Sequence, residues 1–402
     1  MMARTKPRIE LPFLTGGVAK KRRSFAARQL QGWFRTYPAL RIAYAEARRR
    51  FVGVEGVCGM GVGRKFSESA DRYGTAPEST GGLCLKVFVK IKKKEVSGRE
   101  RIPAWIDVRV QRTARTTRVL LDVVSVGGTQ RGQTGSGLQK GRGWPQAGRI
   151  TPGRLFAFGT KAVDEMGDRP FRADEVNLGT TGAVIRFVND RCYGISAGHV
   201  FTDPSLTVAP RPDGLRALGV SGREWEQVHG SDFFPEQIKT TEWIRDLMLF
   251  PFPASFRPDP SEVTWPDGFL RELATQEDIH RAVLAETATG FIWVDRKGSR
   301  PEAIPVDLEA ASPLLSLPVD SHGVTQWMTY IATWPLRFLP GWPTTEPGDS
   351  GSPVFLWTED NSRCRLLGMH FLEWRGHAYA MDARAFFSEV LLATPDQNVW
   401  FA

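Results

Sequence analysis

The stretch Gly348-Asp349-Ser350-Gly351-Ser352-Pro353-Val354-Phe355 places a serine between glycines and directly after an acidic residue. A serine hydroxyl is a weak nucleophile, so it needs a neighbouring base, a group that orients the base, and donors for the developing oxyanion. Glycines at 348 and 351 allow a sharp turn in which the amides of Gly348 and Ser350 point into one hole. A structural turn of small residues would explain the same glycines. Ser350 is therefore a candidate nucleophile whose base must be sought elsewhere in the chain.

The best candidate for the base is His199, one of six histidines in the chain. It ends the run Cys192-Tyr193-Gly194-Ile195-Ser196-Ala197-Gly198-His199, which reads as an apolar strand that finishes in small residues, as expected at the edge of a cleft. A lone histidine after a strand is more often structural. Asp246 lies inside the apolar run at 243–250, where burial of its carboxylate would be costly without a partner. A hydrogen bond from His199 would supply that partner and hold the tautomer that accepts the serine proton.

The segments SAGHV, RDLMLF and GDSGSPVF, in this order, resemble the His, Asp and Ser blocks of the chymotrypsin/trypsin-like serine proteases. The resemblance covers roughly residues 154–394. It implies a mostly β fold with a chymotrypsin-like pair of antiparallel β-barrels, and the triad His199, Asp246 and Ser350 in the cleft between them. The implied activity is a serine endopeptidase that acts on a protein or peptide substrate, without a cofactor or metal. The amides of Gly348 and Ser350 would hold the oxyanion.

Asp349, the acid directly before the candidate nucleophile, bears on how the activity would be regulated. In trypsin-type members of the family, the acid in the position of Asp349 is satisfied by a new N-terminus after zymogen cleavage. This sequence has no apolar IVGG-like start that could supply such an N-terminus. Either another cation or donor satisfies Asp349, or the site stays latent until a partner or a cut rearranges it.

Two residues suggest substrate-binding roles beside Ser350. Thr345 and His370 match positions at which glutamyl endopeptidases, whose serine block is similar, hold a glutamate carboxylate. Two features favour the opposite preference: the surrounding half of the chain is acidic, and Glu346 could bind a basic residue. Acidic specificity is thus one of two expectations for this pocket.

Charge divides the chain in two. Residues 1–150 hold 31 Lys+Arg and 10 Asp+Glu, or +21, and residues 151–402 hold 22 and 34, or −12. The basic front predicts contact with nucleic acid, with an anionic membrane, with an acidic regulatory protein partner, or with the acidic half of its own chain. The charge boundary also predicts that residues 1–150 form a separable unit.

Composition and hydrophobic pattern predict four regions along the chain. Residues 1–52 read as a basic tail and a helical segment interrupted at Pro38, and residues 53–126 as a small α/β module with a sheet, similar to the module that often precedes bacterial trypsin-like domains. Residues 127–153 read as a glycine-rich linker and residues 154–402 as the protease domain. Within that domain we expect barrel one at about 178–255, barrel two at about 287–380 and a C-terminal helix at about 382–394.

The remaining features concern location and a rival function. The four cysteines are scattered without CxxC spacing, so disulfides are not implied. With no signal-peptide or membrane-spanning run, we expect a cytoplasmic bacterial protein, of which a regulated effector protease is one form. The alternative is a catalytically silent double barrel that acts as a scaffold and binds nucleic acid, membrane or an acidic partner through its basic front. The presence of all three triad motifs, in the order typical of the family, favours an enzyme over a scaffold.

Overall fold

The structure is a computed structural model. It describes residues 25–65, 80–90, 101–110, 116–126, 150–166, 171–172, 175–187, 192–202, 210, 214–219, 224–235, 238–239, 242–253, 255–256, 259, 263–285, 288–296, 301–321, 324–374, 376–393 and 399–401. The predicted basic tail before residue 25 and most of the predicted linker at 127–153 lie outside the described residues.

Two helices precede the sheets. Helix α1 spans Phe25–Thr36 and helix α2 spans Pro38–Phe51. Proline lacks the backbone N–H that a helix interior needs but fits the first turn of a new helix, which is why the predicted interruption at Pro38 is the start of α2. The apolar faces of both helices pack into one core that also contains Val306 and Trp334 of the later β region.

The C-terminal β region is built on a closed ring of antiparallel strands. Its pairing runs β18–β17–β13–β14–β16–β19 and returns from β19 to β18. Strand β12, Phe269–Leu273, adds to the outside of β18, and β15 adds to β16. The strands are β13 Gly290–Val294, β14 Glu302–Leu308, β15 Ala310–Ser321, β16 Val324–Phe338, β17 Pro353–Trp357, β18 Cys364–Trp374 and β19 His377–Asp382.

The sheet of the predicted N-terminal module continues this β region. Strand β1, Val57–Gly63, pairs with β15 on one side and with β2, Cys84–Val89, on the other, and β4, Thr116–Ser125, and β3, Trp105–Arg109, follow. The glycines of β1 permit this pairing, because a Cβ on Gly63 would lie 2.1 Å from the carbonyl oxygen of Glu309, which directly precedes β15. The module is therefore joined to the C-terminal β region through main-chain hydrogen bonds.

A buried ion cluster reinforces the junction. The Lys86 ammonium on β2 lies 2.7 Å from a carboxylate oxygen of Asp122 on β4 and 3.0 Å from one of Glu309, which links β14 to β15. All three side chains are buried. Burial alone would raise the pKa of Glu309, but the charges of Lys86 and His377 outweigh it and hold that pKa well below its ordinary range. The buried carboxylate of Glu309 is thus paired with a lysine that comes from the predicted module.

The first β region has two four-stranded sheets around an aromatic core. The strands are β5 Leu155–Gly159, β6 Val176–Thr180, β7 Ala183–Phe187, β8 Cys192–Ser196, β9 Leu215–Gly219, β10 Trp225–His229, β11 Met248–Pro251 and β20 Val399–Phe401. One sheet has the order β10–β9–β5–β6 and the other β11–β8–β7–β20. The aromatic core consists of rings that pack on one another at centroid distances of 4.8 to 5.6 Å: Phe156, Phe158, Phe201, Phe233 and Phe250.

The described residues also form the α-helices α3 Val163–Met166, α4 Gln276–Leu284 and α5 Ala383–Ala393. None of the described helices has the length and hydropathy needed to span a membrane. The fold-class prediction is confirmed, because the chain is mostly β with antiparallel strands dominant. The domain boundaries stay predictions, although the shared sheet and core do not set residues 53–126 apart from the β region that follows.

Candidate active site

His199 and Asp246 are joined by two hydrogen bonds. His199 lies in a short 3-10 turn, Gly198–Phe201, directly after β8, and Asp246 lies two residues before β11, which pairs with β8. The backbone N–H of His199 donates to Asp246 Oδ1 at 2.7 Å, and the imidazole Nδ1 lies 2.8 Å from Oδ2. Gly198 gives the carboxylate room, because a Cβ there would lie 3.3 Å from Oδ1 and 2.7 Å from Ile238. The pairing of β8 with β11 thus brings together His199 and Asp246, whose hydrogen bond the sequence predicted.

This contact decides which imidazole nitrogen carries the proton. An ionised carboxylate only accepts hydrogen bonds, so Nδ1 must be the donor, and in the neutral ring Nε2 then keeps a free lone pair. Nε2 is buried and makes no hydrogen bond with any residue in the described part of the chain. The ring is therefore oriented and left with an unused acceptor, as a general base requires.

Ser350 lies in a tight loop before β17. Gly348 and Gly351 on either side of it have φ angles of +95° and +99°, a conformation that favours glycine. A Cβ on Gly351 would lie 2.1 Å from the carbonyl oxygen of Thr180 and 2.1 Å from the hydroxyl oxygen of Ser196. Both glycines are therefore required by the loop, as the sequence suggested.

The loop is fastened to the first β region. The Thr180 amide donates to the Ser350 carbonyl at 2.8 Å, and the Thr180 hydroxyl donates to the Gly348 carbonyl at 2.7 Å. The hydroxyl of Ser196 donates in turn to the Thr180 carbonyl at 2.7 Å. Since Ser196 is three residues before His199, these bonds bring the nucleophile loop to the end of the strand that carries the candidate base.

A second connection runs through Tyr330 on β16. Ile244, two residues before Asp246, exchanges backbone hydrogen bonds with Thr329 and Ile331 at 2.7 and 3.1 Å. The Tyr330 ring packs on Phe371 of β18 at 4.7 Å between centroids. Burial and then the charge of Asp246 raise the pKa of Tyr330, so its phenol stays neutral beside the carboxylate. Tyr330 therefore bridges the aspartate side and the serine side of the candidate site.

The hydroxyl of Ser350 makes no hydrogen bond to His199 in the described part of the chain. Its Oγ donates to the carbonyl oxygen of Phe371 at 3.4 Å, and the predicted hydrogen bond to Nε2 is absent from the contacts of the described residues. Catalytic hydrogen bonds are often long or misaligned before substrate binds. The Ser350 hydroxyl thus makes a different hydrogen bond from the expected one, and the roles of Ser350 and His199 stay predictions.

The backbone amides of Gly348 and Ser350 make no hydrogen bond to the described residues. Their neighbours are engaged: the Asp349 amide donates to the Glu346 carbonyl at 3.0 Å, the Gly351 amide to the His370 carbonyl at 2.7 Å, and the Ser352 amide to the Asp349 carbonyl at 2.9 Å. Neither the Gly348 amide nor the Ser350 amide donates to any residue that the structure describes. Two free donors beside a serine hydroxyl match the requirement for an oxyanion hole.

Arg296 satisfies the buried acid before the nucleophile. Its Nη2 and Nε lie 2.6 and 3.1 Å from Asp349 Oδ2, and the amide of Glu346 donates to the same oxygen at 2.7 Å. Arg296 also donates to the Thr344 carbonyl and to the Glu346 carboxylate, at 2.9 and 3.1 Å. Of the two sequence-based alternatives for Asp349, the structure has the one with another cation.

The two predicted substrate-binding residues are engaged differently than expected. The Thr345 hydroxyl donates to Glu373 Oε2 at 2.7 Å, so it is not free for a substrate carboxylate. His370 is only 3% exposed, and burial lowers its pKa to about 4, which keeps the ring neutral. Its Nδ1 makes no hydrogen bond within the described part of the chain. The substrate-binding roles of Thr345 and His370 stay predictions, and Thr345 would have to release Glu373 before its hydroxyl could donate to a substrate carboxylate.

Sequence reasoning missed Arg296 and Glu373. Arg296 follows β13 in a basic stretch whose residues look alike, so nothing in the sequence distinguishes it. Glu373 is an acid within the apolar run His370-Phe371-Leu372-Glu373-Trp374, which is the same signal that identified Asp246. That signal could have found Glu373.

Comparison with known proteins gives weak structural likeness. No family model matches the chain, and no curated protein matches it. A murine norovirus NS6 protease is 17% identical, with 51% of this chain and 88% of that chain covered and a TM-score of 0.26. A serine protease of a human pathogenic astrovirus is 12% identical, with 58% and 91% covered and a TM-score of 0.27. A Nocardiopsis protease is 9% identical, with 63% and 99% covered and a TM-score of 0.33. These likenesses are slight, and no function is carried over from them.

Proposed function

We propose that the chain is a serine peptidase, with Ser350 as nucleophile, His199 as general base and acid, and Asp246 as the residue that orients His199. The observation that carries the proposal is the double hydrogen bond between Asp246 and His199. It leaves Nε2 without a partner among the described residues, just beyond the end of the strand to which the Ser350 loop is fastened. A rotation of the serine side chain away from the Phe371 carbonyl is needed before the proton can pass to Nε2.

The reaction follows from these groups. Ser350 Oγ attacks the peptide carbonyl carbon while its proton moves to His199 Nε2, and the amides of Gly348 and Ser350 receive the negative charge that develops on the oxygen. The carbon–nitrogen bond then breaks as the imidazolium returns the proton to the leaving amine. Water then attacks the resulting ester while the same nitrogen takes its proton, and that proton passes to Ser350 Oγ as the bond between the acyl carbon and Oγ breaks.

Arg296 supports a site that works without N-terminal processing. Because its guanidinium satisfies Asp349, the acid next to the nucleophile has a cation and need not wait for a new N-terminus. Regulation by a partner, a role as a bacterial effector and a cytoplasmic location remain predictions from the sequence.

The test is hydrolysis of a defined peptide mixture by the purified full chain, followed by mass spectrometry. Cleavage is expected for the unmodified chain and should fall by about 10³-fold or more in Ser350→Ala and in His199→Ala. Ser362→Ala, on an exposed turn, is the matched control and should cleave normally. Equal cleavage by Ser350→Ala would refute the proposal, and absence of cleavage by the folded chain would favour the scaffold alternative.

A further inference from the structure

Helices α1 and α2 form a groove that is open to solvent and has a volume of about 600 Å³. The residues that line it are Phe34, Arg41, Tyr44, Ala45, Arg48, Arg49 and Val52. Phe34 belongs to α1, and the remaining residues belong to α2 or follow it directly. The other face of α2 packs into the core through side chains such as Leu40 and Ala47. The groove is therefore a surface of the helix pair that the fold does not use for packing.

The groove is strongly basic. Residues 25–52 contain six arginines, no lysine and one acid, Glu46, which gives this segment a net charge of +5. Arg49 and Arg50 form ion pairs with Glu46 at the surface, whereas the exposed Arg41 and Arg48 make no ion pair with any residue that the structure describes. A guanidinium group can contact a phosphate through two parallel N–H donors. Two such groups are therefore available to an anion that enters the groove.

Two half-buried aromatic rings line the same groove. The ring centroids of Phe34 and Tyr44 lie 5.1 Å apart, and the ring planes are tilted by 48°. Burial raises the pKa of the Tyr44 phenol and the charge of Arg48 lowers it in part, so a cation lies near a neutral hydroxyl. Aromatic side chains inside a basic groove can stack with the flat bases of a nucleic acid strand.

The spacing along α2 favours an extended ligand with several charges. Arg41 and Arg48 are seven residues apart, which is about two helical turns or about 10 Å along the axis, and they lie on one face. Tyr44 lies between them on that face. A single phosphate cannot reach both arginines at once, whereas a strand that carries phosphates on both sides of a base can do so.

We infer that this groove binds single-stranded nucleic acid, with backbone phosphates on Arg41 and Arg48 and an unpaired base against Phe34 and Tyr44. The inference does not depend on the proposed peptidase activity. A duplex holds its bases in a stack that these rings cannot enter. An anionic membrane fits less well, because a helix that inserts into a bilayer projects a row of apolar side chains. Residues 25–52 expose one large apolar side chain, that of Val52.

The first arm of the test measures affinity and its salt dependence. Fluorescein-labelled oligo(dT) and oligo(U), about 12 nucleotides long, are titrated into the full chain at about 50 to 200 mM salt and followed by anisotropy. Comparing the two oligomers shows whether DNA or RNA is the tighter ligand. Arg41→Gln with Arg48→Gln should weaken binding about tenfold or more and should reduce the slope of log affinity against log salt by about 1.4, because each phosphate contact contributes about 0.7.

Two further variants distinguish stacking and general charge from the phosphate contacts. Phe34→Leu should weaken binding about fivefold or more without changing the salt slope, because stacking releases no counterions. Arg35→Gln with Arg50→Gln removes the same number of charges from exposed side chains outside the groove, so this matched control should leave affinity and slope nearly unchanged. Thermal unfolding verifies that each variant is folded, and if Phe34→Leu unfolds, the two arginine pairs decide the question.

The second arm locates the bound strand. An oligomer that contains 5-bromodeoxyuridine is crosslinked to the chain with ultraviolet light, and the adducts are mapped by mass spectrometry. Adducts are expected on the peptides that contain Phe34 or Tyr44. The inference is overturned by crosslinks confined to residues outside the groove, such as 1–24, or by a folded chain that binds neither oligomer. Tighter binding of a duplex or of phosphatidylserine vesicles, or an equal loss of affinity in the control pair, would overturn it as well.

Discussion

The guanidinium of Arg296 holds one carboxylate oxygen of Asp349 with two hydrogen bonds, at 2.6 and 3.1 Å. Asp349 is 1% exposed and immediately precedes Ser350. The ion pair therefore connects the end of β13, where Arg296 lies, to the backbone turn that aims the Gly348 and Ser350 amides. In the proposed enzyme, Arg296 is a positioning residue for the oxyanion hole.

Replacing Arg296 with Gln should remove the ion pair that holds the backbone turn before Ser350. Removal of one partner from a buried ion pair typically costs about 3–5 kcal/mol, because the other charge stays buried without compensation. We expect Arg296→Gln to lower the melting temperature and to slow the reaction of Ser350 with a fluorophosphonate at least tenfold. Arg118→Gln, which breaks the exposed pair with Asp107, serves as control and should leave both unchanged. Wild-type labelling by Arg296→Gln would show that the pair does not organise the turn.

Alanine variants at two glycines with positive φ can distinguish the cost of backbone strain from the cost of steric overlap. Gly351 and Gly341 have φ of +99° and +79°, so alanine at either position should cost about 1–2 kcal/mol in backbone strain. Only at 351 would the new Cβ also overlap other atoms, those of Thr180 and Ser196, whereas nothing lies within 4 Å at 341. Gly351→Ala should therefore be clearly less stable than Gly341→Ala in thermal unfolding and should lose labelling of Ser350. Equal stability of the two variants would contradict the described packing of the loop.

His370 should make stability depend on pH. Its pKa is about 4 in the folded chain and about 6.5 when unfolded, so between these values the unfolded chain binds a proton that the folded chain does not. The free energy of unfolding should consequently decrease by up to about 3 kcal/mol as pH falls from about 6.5 to 4. Denaturant titrations of His370→Gln should show a smaller decrease over this window. His229→Gln, an exposed histidine, is the comparison and should retain the full decrease.

Residues 151–402 should not fold alone. The charge boundary near residue 150 predicted the opposite, but β1 pairs with β15, and Lys86 forms buried ion pairs with both Asp122 and Glu309. Without the front half, β15 loses a strand partner and Glu309 loses its buried cation. We expect insoluble or unfolded product on expression of 151–402, and strong destabilisation of the full chain by Lys86→Met, about 3–5 kcal/mol. A folded 151–402 fragment with a cooperative melting transition would restore the separable-module prediction.

The sequence predicted those features of the fold and the candidate site that depend on a short local pattern of residues. Three candidate site residues could be identified from short local patterns. His199 and Asp246 lie at apolar, strand-like runs, and Ser350 lies between two glycines. Local pattern also located the helix interruption at Pro38 and helix α5, whose first turn is capped by Asp382 through the Ala385 amide at 3.2 Å.

Long-range pairings could not be predicted in the same way. Arg296 and Asp349 are 53 residues apart, and Lys86 and Glu309 are 223 apart, so no local periodicity links the members of either pair. Thr345 was read from a resemblance to glutamyl endopeptidases, yet the hydroxyl's partner is the carboxylate of Glu373, on another strand. The net charge of a segment likewise reports its electrostatics and not its place in a sheet.

The most direct measurement for the central claim is mass spectrometry of the intact, unprocessed chain after reaction with a fluorophosphonate. The account predicts a single phosphonyl adduct on the peptide that contains Ser350, no adduct in Ser350→Ala, and greatly slowed labelling in His199→Ala. A folded chain in which Ser350 stays unmodified, or in which the adduct forms equally well without His199, would contradict the assignment of Ser350 as an activated nucleophile.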